Sequence, residues 1–138
     1  MWIMVAGPYT SGGAGAAERA ANLTRLNQAA LALFDRGHLP IIGVNLALPV
    51  IAAAGEDQFE RLMMPISLGL AERCDACLRI GGPSRGADDE AGRFRAAGKP
   101  VYFRLEDVPP AGSTTSPTAA ASAASTTFNP MPQRNATS

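Results

Sequence analysis

The segment Ile80-Gly81-Gly82-Pro83-Ser84-Arg85-Gly86-Ala87-Asp88-Asp89-Glu90 sets three consecutive acids behind a glycine-bearing turn. Read as the start of a helix, the acids complement the positive end of its dipole. At ~100° per residue they do not share a side. Glu90 falls in one stripe with Ala87, Ala91, Phe94, Ala97 and Gly98, which must face a core. Asp88 and Asp89 fall on the opposite side, and Asp89 stands four residues from Arg93, close enough to pair on the surface. An inward carboxylate without a nearby cation is costly to bury. Burial opposes its ionisation while the helix dipole favours it. A poorly solvated carboxylate that stays ionised is a plausible nucleophile. Ser84 and Gly86, just ahead of the helix, offer a hydroxyl and an N–H to an anion; a serine after Pro83 is also an ordinary turn residue.

A second constellation is the loop Gly7-Pro8-Tyr9-Thr10-Ser11-Gly12-Gly13, between an apolar run and a helix start. Free backbone N–H groups at a helix start suit a phosphate or another anion, and Thr10 and Ser11 add hydroxyl donors. The same glycines also suit a turn whose Ser11 or a neighbour caps the helix. The loop lacks the lysine of a Walker motif and the spacing of a dinucleotide fingerprint. Cys74-x-x-Cys77 suggests zinc or redox chemistry, but zinc needs four ligands and His38 is the single histidine. Both cysteines therefore read as ordinary buried thiols. His38 reads as a surface or helix-end residue, which argues against a Ser-His-Asp or Cys-His hydrolase. No metal and no organic cofactor is expected.

The elements that must position these groups follow from periodicity. Trp2–Ala6 is a short apolar run, as in a strand buried on both faces. Ala17–Arg36 reads as a helix, with Ala20, Leu23, Leu26, Asn27, Ala30, Leu33 and Phe34 on one side and Gly37 ending it. Leu39–Val44 reads as a second strand, Ser67–Arg73 as a helix with Pro65 near its first turn, and Ala76–Ile80 as a third strand. Ala87–Ala97 reads as a helix closed by Gly98, and Val101–Arg104 as a fourth strand. Strands separated by helices imply an α/β, Rossmann-like three-layer fold with a mostly parallel sheet of four to five strands. Ligands of such sheets bind outside the carboxyl ends of the strands. Gly7–Gly13, Asn45 and Gly81–Gly86, with Gly82 among them, follow strands and belong to that end; Asp75 and Lys99 precede strands and belong to the other.

The chain has 138 residues, 46% apolar and 17% charged, which suits one domain with a packed core. Twelve basic and twelve acidic side chains balance, which argues against a nucleic-acid binder or a polybasic membrane-surface protein. No apolar run reaches the ~18 residues of a membrane helix; the apolar stretch Leu46–Ala54 contains Pro49. Met1–Ala6 has no basic flank and does not read as a signal peptide. Two cysteines make no disulfide scaffold, so a cytoplasmic setting is expected. The composition changes near Pro109-Pro110. Of the 28 residues Ala111–Ser138, 18 are Ala, Ser or Thr. The domain is therefore placed at 1–108 and a disordered tail at 109–138. Asn135-Ala136-Thr137 has the form of a glycosylation acceptor, without a secretion signal to go with it.

The opening Ile3-Met4-Val5-Ala6-Gly7-Pro8-Tyr9 resembles the start of the nucleoside 2-deoxyribosyltransferase-like superfamily. Cys74-Asp75-Ala76-Cys77-Leu78-Arg79-Ile80-Gly81-Gly82 with Ser84-x-Gly86-x-x-x-Glu90, then Ala91 and Gly98-Lys99-Pro100-Val101, resembles its second signature. The similarity runs from Trp2 to Arg104 and extends to the 2'-deoxynucleoside 5'-phosphate N-hydrolases, which share the Ser-x-Gly-x-x-x-Glu element. It implies a five-stranded Rossmann-like fold and a homodimer acting on a nucleoside or nucleoside 5'-monophosphate. It also implies that Glu90 attacks the anomeric carbon of the sugar, that the Tyr9–Gly13 loop and Ser84 hold the 5'-phosphate, and that Tyr9 touches sugar or base. Active relatives carry an aspartate about one helix-length ahead of the position matching Asp75. Here that region reads Met63-Met64-Pro65, with Glu56, Asp57 and Glu60 slightly earlier, and Asp57 is taken as the substitute. The expected function is N-glycosidic bond cleavage or transfer. The alternative is a non-catalytic nucleotide-binding or regulatory domain. The lysine-decarboxylase-like phosphoribohydrolases, with more tightly packed glycines, rank below both.

Overall fold

The computed structural model describes residues 1–112. The chain forms β1 (Trp2–Ala6), α1 (Ala16–Asp35), β2 (Leu39–Ile41), α2 (Gly43–Ala54), α3 (Phe59–Ala71), β3 (Ala76–Arg79), α4 (Arg85–Ala96) and β4 (Val101–Tyr102). Short 3-10 turns cover Glu56–Gln58 and Leu105–Asp107. The four strands pair in parallel in the order β2-β1-β3-β4. The fold is α/β and Rossmann-like.

The alternation of side chains along β1 and β3 assigns the helices to faces. Ile3, Val5, Ala76 and Leu78 pack with Leu26 and Leu33 of α1, and Val44, Ala47 and Ile51 of α2 continue that cluster. Met4, Ala6 and Cys77 point the other way, against Ala71 of α3 and Ala87, Ala91 and Phe94 of α4. Because β1 leads outward to β2 and β3 outward to β4, the chain order reverses between the two central strands. Their carboxyl ends therefore send loops apart and leave a crevice.

Several elements depart from the periodicity reading. The strand expected over Leu39–Val44 stops at Ile41, and Gly43 already starts a helix. The helix expected from Ser67 begins at Phe59. Pro49 and Pro65 lie inside α2 and α3 on their exposed sides, where a missing N–H leaves a carbonyl that water can serve. Phe34, assigned to the inward side of α1, is 63% exposed. His38 is buried rather than superficial: its Nδ1 lies 3.0 Å from the Met1 amine and its Nε2 2.7 Å from the Pro109 carbonyl oxygen. Among the described residues the chain after β4 runs back to α1 and adds no fifth strand. Val108 is buried, and Ala111 N–H donates to the Arg36 carbonyl. The disordered tail expected at 109–138 lies, from residue 113 onward, outside the described residues. Among the described residues no helix is long and apolar enough to cross a membrane.

Candidate active site

A cavity of about 660 Å³ opens at the carboxyl ends of β1 and β3, within the size range of small-molecule sites. One wall is the β1–α1 loop: Gly7, Tyr9, Thr10, Ser11 and Gly12. Gly12 and Gly13 hold φ of +73° and +70°, a left-handed turn that favours glycine. The Tyr9 carbonyl accepts a bond from Asn22 Nδ2 at 3.0 Å, which ties the loop to α1. The second wall is the start of α4, with Pro83, Ser84, Arg85, Gly86, Ala87, Asp89 and Glu90. The third comes from α2 and α3: Val44, Phe59, Glu60, Met63 and Met64.

Glu90 sits where the helical phase places it, on the inward side of α4 and 8% exposed. Its Oε1 accepts a bond of 2.7 Å from the Ser67 hydroxyl of α3. Burial pushes its carboxyl up from 4.5 to about 7; the Ser67 bond and the Arg79 guanidinium pull it partly back, and Asp89 adds to the rise. Arg79 is itself buried at the end of β3. It donates to the Ile80 carbonyl at 2.5 Å, the Gly82 carbonyl at 2.9 Å and Asp88 Oδ1 at 3.1 Å. One guanidinium thus shapes the turn ahead of α4 and supplies positive charge to the Glu90 region. Ser84 caps α4, its Oγ accepting from Ala87 N–H at 3.2 Å. Its own proton remains available to a ligand.

The sequence-derived candidates divide by position. Gly7, Tyr9, Thr10, Ser11, Gly12, Ser84, Gly86 and Glu90 meet around the cavity. Gly13, Asn45, Asp57 and Gly82 do not border it. Asn45 is exposed and donates to Asn27 Oδ1 at 2.7 Å, while its neighbour Val44 faces the cavity. Asp57 accepts from Gln58 Nε2 at 3.1 Å in an exposed 3-10 turn, and Glu60, in the first turn of α3, borders the cavity instead. Gly82 contributes its carbonyl to Arg79. The surface pair expected between Asp89 and Arg93 does not form: Arg93 approaches Glu72 at 3.8 Å, and Asp88 rather than Asp89 forms an ion pair, with the buried Arg79.

Sequence reasoning passes over Ser67, Arg79 and the Phe59–Met64 wall. The signals for two of these are present: Ser67 is the polar member of the α3 stripe Met63–Ser67–Ala71, and Arg79 is the charged member of an otherwise apolar strand. Cys74 and Cys77 are free, buried thiols, which burial pushes to about 11 and about 12. Among the described residues no group of three or more His, Cys, Asp or Glu is placed to hold a metal ion. The chain matches no protein-family model and no curated protein.

Proposed function

We propose that the protein cleaves or transfers the N-glycosidic bond of a nucleoside or nucleoside 5'-monophosphate, with Glu90 as nucleophile. The observation that carries this reading is a buried carboxyl group bordering a cavity at the carboxyl ends of the two central strands. In the proposed reaction a Glu90 oxygen bonds to the anomeric carbon as the C1'–N bond breaks. The bonding pair leaves with the base, which takes up a proton. Water or an acceptor nucleoside then displaces Glu90 from that carbon and yields a proton, with overall retention. Besides Glu90, the carboxyl groups bordering the cavity are Glu60 of α3 and Asp89 of α4; Glu60, carried by a different helix from the nucleophile, is assigned the proton transfers. Phe59, Met63 and Met64 offer the base an apolar surface. The Tyr9–Gly12 loop, the Ser84 hydroxyl and the N-terminus of α4 suit a 5'-phosphate. The scheme uses no metal or organic cofactor. Product analysis after incubation with mixed nucleosides and 5'-monophosphates should show free base, and Glu90→Gln should abolish it; equal release by the variant rejects the role.

A second reading, a nucleotide-binding domain without turnover, draws support from one contact. The group touching Glu90 is the Ser67 hydroxyl, which is no acid for base departure. This reading expects ligand-dependent thermal stabilisation with no base released. For the homodimer implied by the resemblance, the support is exposed apolar surface, with Leu31 and Phe34 on α1 and Leu46 and Val50 on α2. A sedimentation measurement returning the monomer mass rejects it.

A further inference from the structure

We propose that Ser67 is a positioning residue for Glu90, holding Oε1 so that Oε2 is presented to the cavity. This deepens the reading of Glu90 as the reactive group by naming what orients it. Ser67 is 0% exposed and lies on the inward stripe of α3. Its hydroxyl carries one proton, and that proton is committed to Oε1 at 2.7 Å. The hydroxyl is boxed in from the other side by the start of α2. A Cβ on Gly43 would come within 1.9 Å of Ser67 Oγ and 3.1 Å of its Cα. Glycine at position 43 lets α2 approach, and the approach restricts the serine rotamer. Three helices thus converge on one hydrogen bond.

Among the described residues no buried side-chain oxygen lacks a partner. Glu90 has Ser67 as its side-chain partner, so the oxygen that Ser67 does not hold is the one left accessible, on a residue that borders the cavity. A neutral donor suits this task. It stabilises the carboxylate without adding charge, whereas a second carboxylate at this distance would repel it. An alcohol does not deliver a proton to a departing base at neutral pH, so Ser67 acts through Glu90 and takes no part in proton transfer.

The test is a titration of the Glu90 side-chain carboxyl by carbon-13 NMR in the full chain, for wild type, Ser67→Ala and Ser67→Cys. Alanine removes the donor, and cysteine replaces it with a weak one while still filling the space. Loss of a hydrogen bond to a charged group should tighten proton binding by roughly tenfold or more. The Glu90 signal of Ser67→Ala should therefore titrate at least about one pH unit above wild type, with Ser67→Cys also raised. Variants that titrate with wild type overturn the proposal. In base-release assays kcat should fall roughly tenfold with KM little changed, and the acid limb of the pH profile should move upward. An unchanged kcat and limb overturn it as well. A wild type that releases no base refutes the glycosidic reading instead, and the carboxyl titration still decides the role of Ser67.

Discussion

Replacing Glu90 by glutamine should stabilise the protein at pH 8 while removing the nucleophile of the proposed reaction. The carboxyl rises from 4.5 to about 7 because burial penalises its charged form more than Ser67 and Arg79 favour it. The folded state therefore binds this proton more tightly than the unfolded chain does. Below about pH 4.5 the group is protonated in both states and costs nothing. Between 4.5 and about 7 the unfolded chain gives up the proton first, so stability falls as pH rises. Above 7 the loss is complete. At ~1.4 kcal/mol per pH unit the full loss is roughly 3 kcal/mol. Glutamine keeps the size and an acceptor for Ser67 but carries no charge. Glu90→Gln should thus match wild type near pH 4.5 and exceed it by up to roughly 3 kcal/mol at pH 8, a rise in Tm of roughly 10 °C for a domain of this size. Urea unfolding from pH 4.5 to 8.5, with the slope m held in common, measures the difference directly. A stability gap that does not change with pH would refute the reasoning, because other titrating groups are common to both proteins.

In the proposed reaction the same carboxyl would set the pH dependence of turnover: an ionised nucleophile requires base release to climb with pH and to level off above about 7, and a flat profile from pH 5 to 8 contradicts its role. Glu60→Gln should slow base release by roughly 10²-fold or more if that carboxyl group exchanges the proton, while Asp57→Asn, altering an exposed side chain paired with Gln58, should leave the rate within about twofold. Arg79→Met removes two bonds donated to carbonyls of the turn ahead of α4 and one donated to Asp88 in its first turn. Thermal and urea melts should show a loss of roughly 1–3 kcal/mol, and NMR should show the Glu90 titration moving upward, since a nearby positive charge is gone.

The central strands and α4 are legible because each obeys a single period. Ile3–Ala6 and Ala76–Leu78 are apolar without interruption, as strands covered on both faces must be. α2 is less legible. Ile41-Ile42-Gly43-Val44 prolongs a strand pattern past its end, and Pro49 looks like a break. Pro65 likewise moves the apparent start of α3 eight residues along, to Ser67 instead of Phe59. Both prolines are tolerated because they face solvent while the opposite sides of α2 and α3 pack together. The burial of His38 depends on the Pro109 carbonyl, 71 residues away, a contact that no local pattern announces.

The site shows how far topology alone carries. The rule that ligands gather beyond the carboxyl ends of strands gives a residue its height in the fold, and it does so for the Gly7 loop and the Ser84 turn. It does not give the direction in which a side chain points around its helix. Val44 and Asn45 share a height, yet one faces the cavity and the other bonds to Asn27 on the outside. Glu90 escapes this ambiguity because a charge inside an apolar stripe fixes its own direction: the stripe must face the sheet. Ser67 obeys the same logic within Met63–Ser67–Ala71, but only once α3 is known to begin at Phe59. Begun at Ser67, the helix has no stripe for the serine to interrupt. The hydroxyl then reads as a terminal polar group rather than as the partner of the buried acid.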